Sequence, residues 1–86
     1  MLAYAKRRLS EIGHVIRLAH ATTRGEPDLV ACVKGRFVAV ECKGPRGMVS
    51  GVQEFQLADL LKHAATVAIV RTRADVDGVV ERLRGL

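Results

Sequence analysis

With 86 residues, 49% of them apolar and 27% charged, the chain has room for one small domain and too ordinary a composition for wholesale disorder. Lys and Arg outnumber Asp and Glu by 14 to 9, a formal net charge of +5 that suits a polyanionic partner such as nucleic acid. Aromatics are scarce (Tyr4, Phe37 and Phe55), which argues against single-strand binding on stacked aromatic platforms.

In chain order, residues 2–12 put Leu2, Ala5, Leu9 and Ile12 on one stripe and predict a helix, with Gly13 as its stop. Residues 14–19 read as a short strand and 20–27 as a loop. Residues 28–33 and 36–43 are β-rich runs joined by Lys34-Gly35, a hairpin signal. After a loop over 44–49, Ser50 opens a helix to about Ala64, with Ser50 and Gln53 in the capping-box spacing. Residues 66–71 predict a buried strand. Residues 75–84 predict a closing helix with Val76, Val79, Val80 and Leu83 inward. The order α-β-β-β-α-β-α predicts an α/β domain over residues 1–86, a mixed sheet flanked by helices.

No apolar run approaches the ~18 residues of a membrane span, and the charged first segment carries no signal-peptide pattern. Cys32 and Cys42 form no CxxC pair, and His14, His20 and His63 have no zinc spacing with them. A reducing, cytoplasmic setting is the expectation.

The hairpin concentrates the chemistry. If Lys34 and Gly35 are the turn residues, Val33 faces Arg36, Cys32 faces Phe37, Val30 faces Ala39 and Asp28 faces Glu41. Directly opposed side chains have Cβ atoms ~4.5–5.5 Å apart, and like charges there repel. A shared proton or a bound cation would offset that repulsion. Strand alternation puts Lys43 on the face of Glu41, while Val38, Val40 and Cys42 form an apolar set on the other. Two hard oxygen ligands beside an ammonium suit a magnesium-assisted phosphodiester hydrolysis. The competing reading is a charged strand end at a solvent edge. Cys32 and Cys42 point to opposite faces in this register and should not bridge.

Gly25-Glu26-Pro27-Asp28 followed by Val40-Glu41-Cys42-Lys43 resembles the PD-(D/E)xK nuclease signature. The wider stretch, GEPDLVACVKGRFVAVECKGP, then VSGVQEFQLADLL and TVAIVRT, resembles the VRR-NUC (virus-type replication-repair nuclease) family over roughly residues 13–80. The resemblance implies a restriction-endonuclease-like fold and DNA cleavage with Mg²⁺ or Mn²⁺. It also implies homodimers acting on branched DNA such as Holliday junctions. Residue by residue, it makes Asp28 and Glu41 metal ligands, the backbone carbonyl of Cys42 a further ligand and Lys43 the catalytic lysine.

The same resemblance expects a glutamine at the start of the second helix, near the active site. Gln53 fits, since it shares an inward stripe with Leu57, Leu60, Leu61 and Ala64; the capping box explains it equally without chemistry. A glutamate is expected on the first helix, where the chain has Tyr4, Lys6 or Arg7. Glu11, the only acidic residue there, reads as a solvated surface group, which leaves a second protein-held metal unsupported. Glu26 is a loop residue or a partner for Lys43.

Lys6, Arg7, Arg8, Arg17, Arg24, Arg36, Arg46, Arg71 and Arg73 are candidate phosphate contacts. Arg24 and Arg46 lead, because they flank the motif in loops. The expected activity is that of a metal-dependent DNA endonuclease. Rival readings are an archaeal-type junction resolvase, a catalytically idle nucleic-acid-binding subunit and a small dimerisation domain. For a homodimer, Leu2, Ala5 and Leu9 of the first helix and the strand near 14–19 are the expected contacts.

Overall fold

Lys34 and Gly35 both adopt positive φ, 52° and 77°, the twist that two-residue β-hairpins require. They join β2 (Leu29–Val33) to β3 (Arg36–Cys42) in the expected register, with Val33 opposite Arg36, Cys32 opposite Phe37 and Leu29 opposite Val40. The computed structural model describes residues 1–18, 27–63 and 65–86. His20, Arg24, Glu26 and Ala64 lie outside the described residues.

Around the hairpin the chain forms a four-stranded sheet in the order β1-β2-β3-β4, with β1 at His14–Arg17 and β4 at Thr66–Val70. The first three strands are antiparallel neighbours, and β4 lies parallel to β3. The crossover between β3 and β4 is the helix α2 (Gly51–Lys62); α1 (Leu2–Ser10) and α3 (Arg73–Arg84) complete the order α-β-β-β-α-β-α. No helix among the described residues is long and apolar enough to cross a membrane.

The main core lies under α1 and α3. Leu29, Ala31, Val33, Val38, Val40, Ala68 and Val70 from one sheet face meet Ala5, Leu9, Val76, Val79, Val80 and Leu83. The stripe on α1 therefore faces inward to this chain's own core. Ala5 and Leu9 are fully buried there and Leu2 packs against them, which removes them as contacts for a second copy. Among the described residues β1 is an edge strand of the sheet.

Gly13 does more than stop a helix. A Cβ there would sit 2.4 Å from the Cys32 carbonyl oxygen and 2.7 Å from Val33 Cγ2, so only glycine lets β1 enter beside β2. Lys34 ties the hairpin tip to α3, its ammonium donating to the carbonyls of Arg84 and Leu86 at the helix's C-terminal end.

The opposite sheet face is covered by α2, and only in part. Leu57 is buried beneath it, but Phe37, Ile16 and Ile69 stay largely exposed. Leu61, expected on the inward stripe, is exposed as well, because α2 meets the sheet chiefly through β4 and the stripe is narrower than its spacing implies. The last helix begins two residues earlier than expected. Thr72 caps it by accepting from the Asp75 N–H, and Asp75 accepts in return from the Thr72 N–H.

Candidate metal centre

Glu41 sits at the end of β3 on the face beneath α2, only 3% exposed, in a position where the strand's alternation would otherwise place an apolar residue. Ser50 caps α2 by accepting from the Gln53 N–H at 3.1 Å, and Gln53 Oε1 accepts from the Ser50 N–H at 3.1 Å. With its carbonyl so engaged, the Gln53 amide has one orientation, and its Nε2 donates to Glu41 Oε1 at 2.9 Å. One side chain thus both caps the helix and bonds the buried carboxylate. The cap sets the amide, and the amide reaches the buried carboxylate.

Lys43 Nζ lies 3.6 Å from the same oxygen, Glu41 Oε1, as alternation along the strand requires. Its own N–H donates to the Val70 carbonyl, which anchors the residue just beyond the end of β3. Asp28 differs from expectation in one respect. The ladder stops at Leu29 and Val40, so Asp28 is not a strand residue. Its Oδ2 instead accepts the Cys42 N–H at 2.8 Å, a side-chain acceptor taking over at the frayed end of the hairpin. The carbonyl of Asp28 accepts from the Leu18 N–H, which pins the residue from the β1 side.

The electrostatics follow from this crowding. Burial raises the Glu41 carboxyl above the usual carboxylate range, the negative charge of Asp28 raises it further, and Lys43 opposes both. The Cys42 thiol is pushed up to about 11, by burial first and then by Asp28 and Glu41. It stays protonated at neutral pH and offers no thiolate to a metal or a substrate. Cys32 and Cys42 are both free, as the register required.

One atom stands apart. Glu41 Oε2 is buried and has no hydrogen-bond partner, while its sister oxygen faces both Gln53 and Lys43. A buried, unpartnered carboxylate oxygen beside a second carboxylate fits a hard divalent cation that takes oxygen ligands. Among the described residues no three His, Cys, Asp or Glu side chains converge. A magnesium-like ion held by one or two carboxylates and otherwise by water and phosphate oxygens needs no more. A cleft of about 350 Å³ opens beside this centre, lined by Met1, Leu2, Asp28, Cys42, Lys43, Gly44, Pro45 and Arg71.

No family model and no curated protein matches the sequence. A solved structure described as a VRR_NUC domain does match, at 28% identity and a TM-score of 0.80, over 92% of this chain and 88% of that one. The chain is similar in fold and in sequence to a VRR-NUC domain. Its sheet and helices are those of the restriction-endonuclease-like fold.

Glu11 stays away from the centre. It lies on the surface beyond α1, where it pairs with Arg8 and with Arg84 Nη2 at 3.4 Å, tying α1 to α3. Arg46 is exposed in the turn after β3. Arg71 donates through Nη1 to the carbonyls of Gly44 and Gly47, so it braces the loop that carries Arg46. The spacing of Arg71 from the motif gave no warning of this role, since the contact depends on β4 lying beside β3. The Thr72-x-x-Asp75 pattern, by contrast, was a readable signal for the start of α3.

Proposed function

We propose that this chain is a VRR-NUC domain that acts as a divalent-metal-dependent DNA endonuclease. The observation that carries the reading is the orphaned Glu41 Oε2 beside Asp28, with Lys43 on the same face. Asp28, Glu41 and the Cys42 carbonyl are the groups that would hold Mg²⁺ or Mn²⁺. When bound, such an ion supplies Lewis-acid stabilisation of a phosphate oxygen and lowers the pKa of water.

The chain's own residues supply the rest. Gln53 holds Glu41 through Oε1, so that Oε2 is left for the ion. Lys43 borders the cleft, and its ammonium offsets the negative charge that develops on the phosphate or orients the attacking water. No side chain needs to become covalently attached. Arg46, in the loop braced by Arg71, and Arg24 bind the DNA backbone, so affinity falls steeply with salt.

Branched DNA such as a Holliday junction is the proposed substrate, cut by a homodimer whose two sites face the two strands. The open β1 edge supports pairing between copies. Incubating the protein with labelled junction and plain duplex, with Mg²⁺ or Mn²⁺ and then with a chelator, tests the activity. Metal-dependent cleavage with preference for the junction is expected. Absence of cleavage on both substrates at millimolar metal would overturn the nuclease reading. Sedimentation at micromolar concentration tests the dimer, and a single species near 9.4 kDa with and without DNA would overturn it.

A further inference from the structure

The cleft beside the metal centre lies where two helices begin. Met1 and Leu2, at the start of α1, line it, as does Arg71, two residues ahead of α3. One turn into α1, the Tyr4 ring carries two guanidiniums. Arg73, the first residue of α3, lies 4.8 Å from the ring centroid, and Arg7 lies 5.3 Å from it. Both distances are within the ~6 Å reach of a cation–π contact.

The surrounding carboxylates are already committed. Asp77 accepts from the Tyr4 phenol at 2.5 Å and from Arg8 Nε at 3.1 Å, and Arg8 also pairs with Glu11. Asp75 accepts the N–H groups of Arg71 and Thr72. The Arg71 guanidinium bonds to two neutral carbonyls, and no carboxylate among the described residues lies within ion-pairing distance of Arg7, Arg71 or Arg73. Asp77 still feels Arg73 at longer range. Among the described residues, Arg71 at the cleft and Arg7 and Arg73 on the neighbouring Tyr4 ring thus have no ion-paired carboxylate, and two of them share a single ring despite their mutual repulsion. Such an arrangement gains most when an extended polyanion lies across it.

We propose that Arg7 and Arg73, held over the Tyr4 ring, form with Arg71 a rigid docking wall for the sugar–phosphate backbone of DNA beside the metal centre. The wall rests on DNA being the substrate, as proposed above. A guanidinium fixed on an aromatic face loses less freedom on binding phosphate than a free surface arginine does. It contacts phosphates next to the scissile one, so it contributes to binding and leaves the chemical step alone.

The test uses fluorescence anisotropy of labelled DNA with the full chain carrying Glu41→Gln, so that nothing is cut, over a range of salt. Each phosphate contact adds about 0.9 to the slope of log affinity against log salt. Arg73→Gln and Arg7→Gln should each flatten the slope by about 1, and by about 2 together. Arg73→Lys keeps the charge and should keep the slope. In the otherwise native chain the same substitutions should raise KM and leave kcat at saturating DNA within about twofold. Arg7 and Arg73 are exposed, and melting curves check that each variant is folded. Unchanged slopes in both variants, with the parent binding DNA, would overturn the docking wall and leave the nuclease reading standing. No salt-dependent DNA binding by the parent, with cleavage by the native chain, would overturn the docking wall alone; neither binding nor cleavage would overturn both.

Discussion

Glu41→Gln should make the metal-free protein more stable and the metal-loaded protein inert. The substitution keeps the shape of the side chain and removes one charge. In the native state Glu41 is almost fully buried, and its carboxyl is raised by burial and by Asp28. A raised native pKa means that the folded state binds the proton more tightly than the unfolded state. Without metal, stability is therefore lost as pH climbs from the ordinary glutamate value through the raised native one, and is constant above it. Glutamine does not titrate and escapes this loss. The amide nitrogen of the glutamine would be as buried and unpartnered as Oε2 is, so the gain comes only from removing the buried charge beside Asp28. Loss of the Lys43 attraction at 3.6 Å cancels part of the gain. A net gain remains, read as a rise in melting temperature of about 4–8 °C for each kcal/mol in a domain of this size. Metal reverses the order. At a hundredfold excess over Kd it stabilises the native chain by about 2.7 kcal/mol, roughly 10–20 °C, and leaves the variant nearly unmoved. Thermal melts at pH 8 in chelator and in Mg²⁺ or Mn²⁺, run beside a cleavage assay, read both halves. The reasoning fails if the variant melts below the native chain in chelator, or if metal shifts the two equally.

Lys43→Met should keep the metal-induced rise in melting temperature and lose most turnover, because the ammonium acts on phosphate or water; calorimetric titration of Mn²⁺ into both proteins checks this, and much weaker binding by the variant would refute the division of roles. Gly13→Ala should destabilise the fold by about 1–3 kcal/mol, since the new methyl meets the Cys32 carbonyl at 2.4 Å; a melting temperature within a degree of native would refute the close approach. The Tyr4 hydrogen bond, and after it Arg8, holds the Asp77 carboxyl below the usual range. Its contribution to stability is present above the ordinary aspartate value and disappears as pH falls through the depressed native one. Asp77→Asn should accordingly flatten the acid limb of stability against pH in denaturant titrations, and an unchanged limb would refute the clasp between α1 and α3.

The hairpin was legible because it is local. Lys34-Gly35 between two β-rich runs determines every partner in the ladder, and the observed register is the one that turn requires. The same locality explains why the Ser50–Gln53 cap could be read directly. Asp28 was readable as a neighbour of Glu41 but not as a side chain bonded to the Cys42 N–H, because that bond exists only where the ladder frays. The α1 stripe was visible, but not its destination. Periodicity says that Leu2, Ala5 and Leu9 share a face and cannot say whether α3 or a second copy covers it. Leu61 shows the same limit on α2, where the sheet beneath is only partly covered. The bracing of the 44–47 loop by Arg71 depends on the parallel pairing of β3 with β4, a contact no short-range pattern encodes.

The asymmetry of the Glu41 carboxylate ties the fold to the proposed chemistry. Its two oxygens are chemically alike, yet Oε1 faces an amide donor and an ammonium while Oε2 faces none. The difference originates outside the strand, in the first turn of α2. Ser50 and Gln53 cap that turn reciprocally, which leaves the Gln53 amide nitrogen a single direction, toward Oε1. A helix cap, ordinarily a device of local stability worth about 1 kcal/mol, here also selects which carboxylate oxygen is left without a partner. The cost of keeping that oxygen buried and unpaired is borne by a small domain with a modest core. An ion between Asp28 and Glu41 would remove that cost, so loading the site and stabilising the fold become one thermodynamic event.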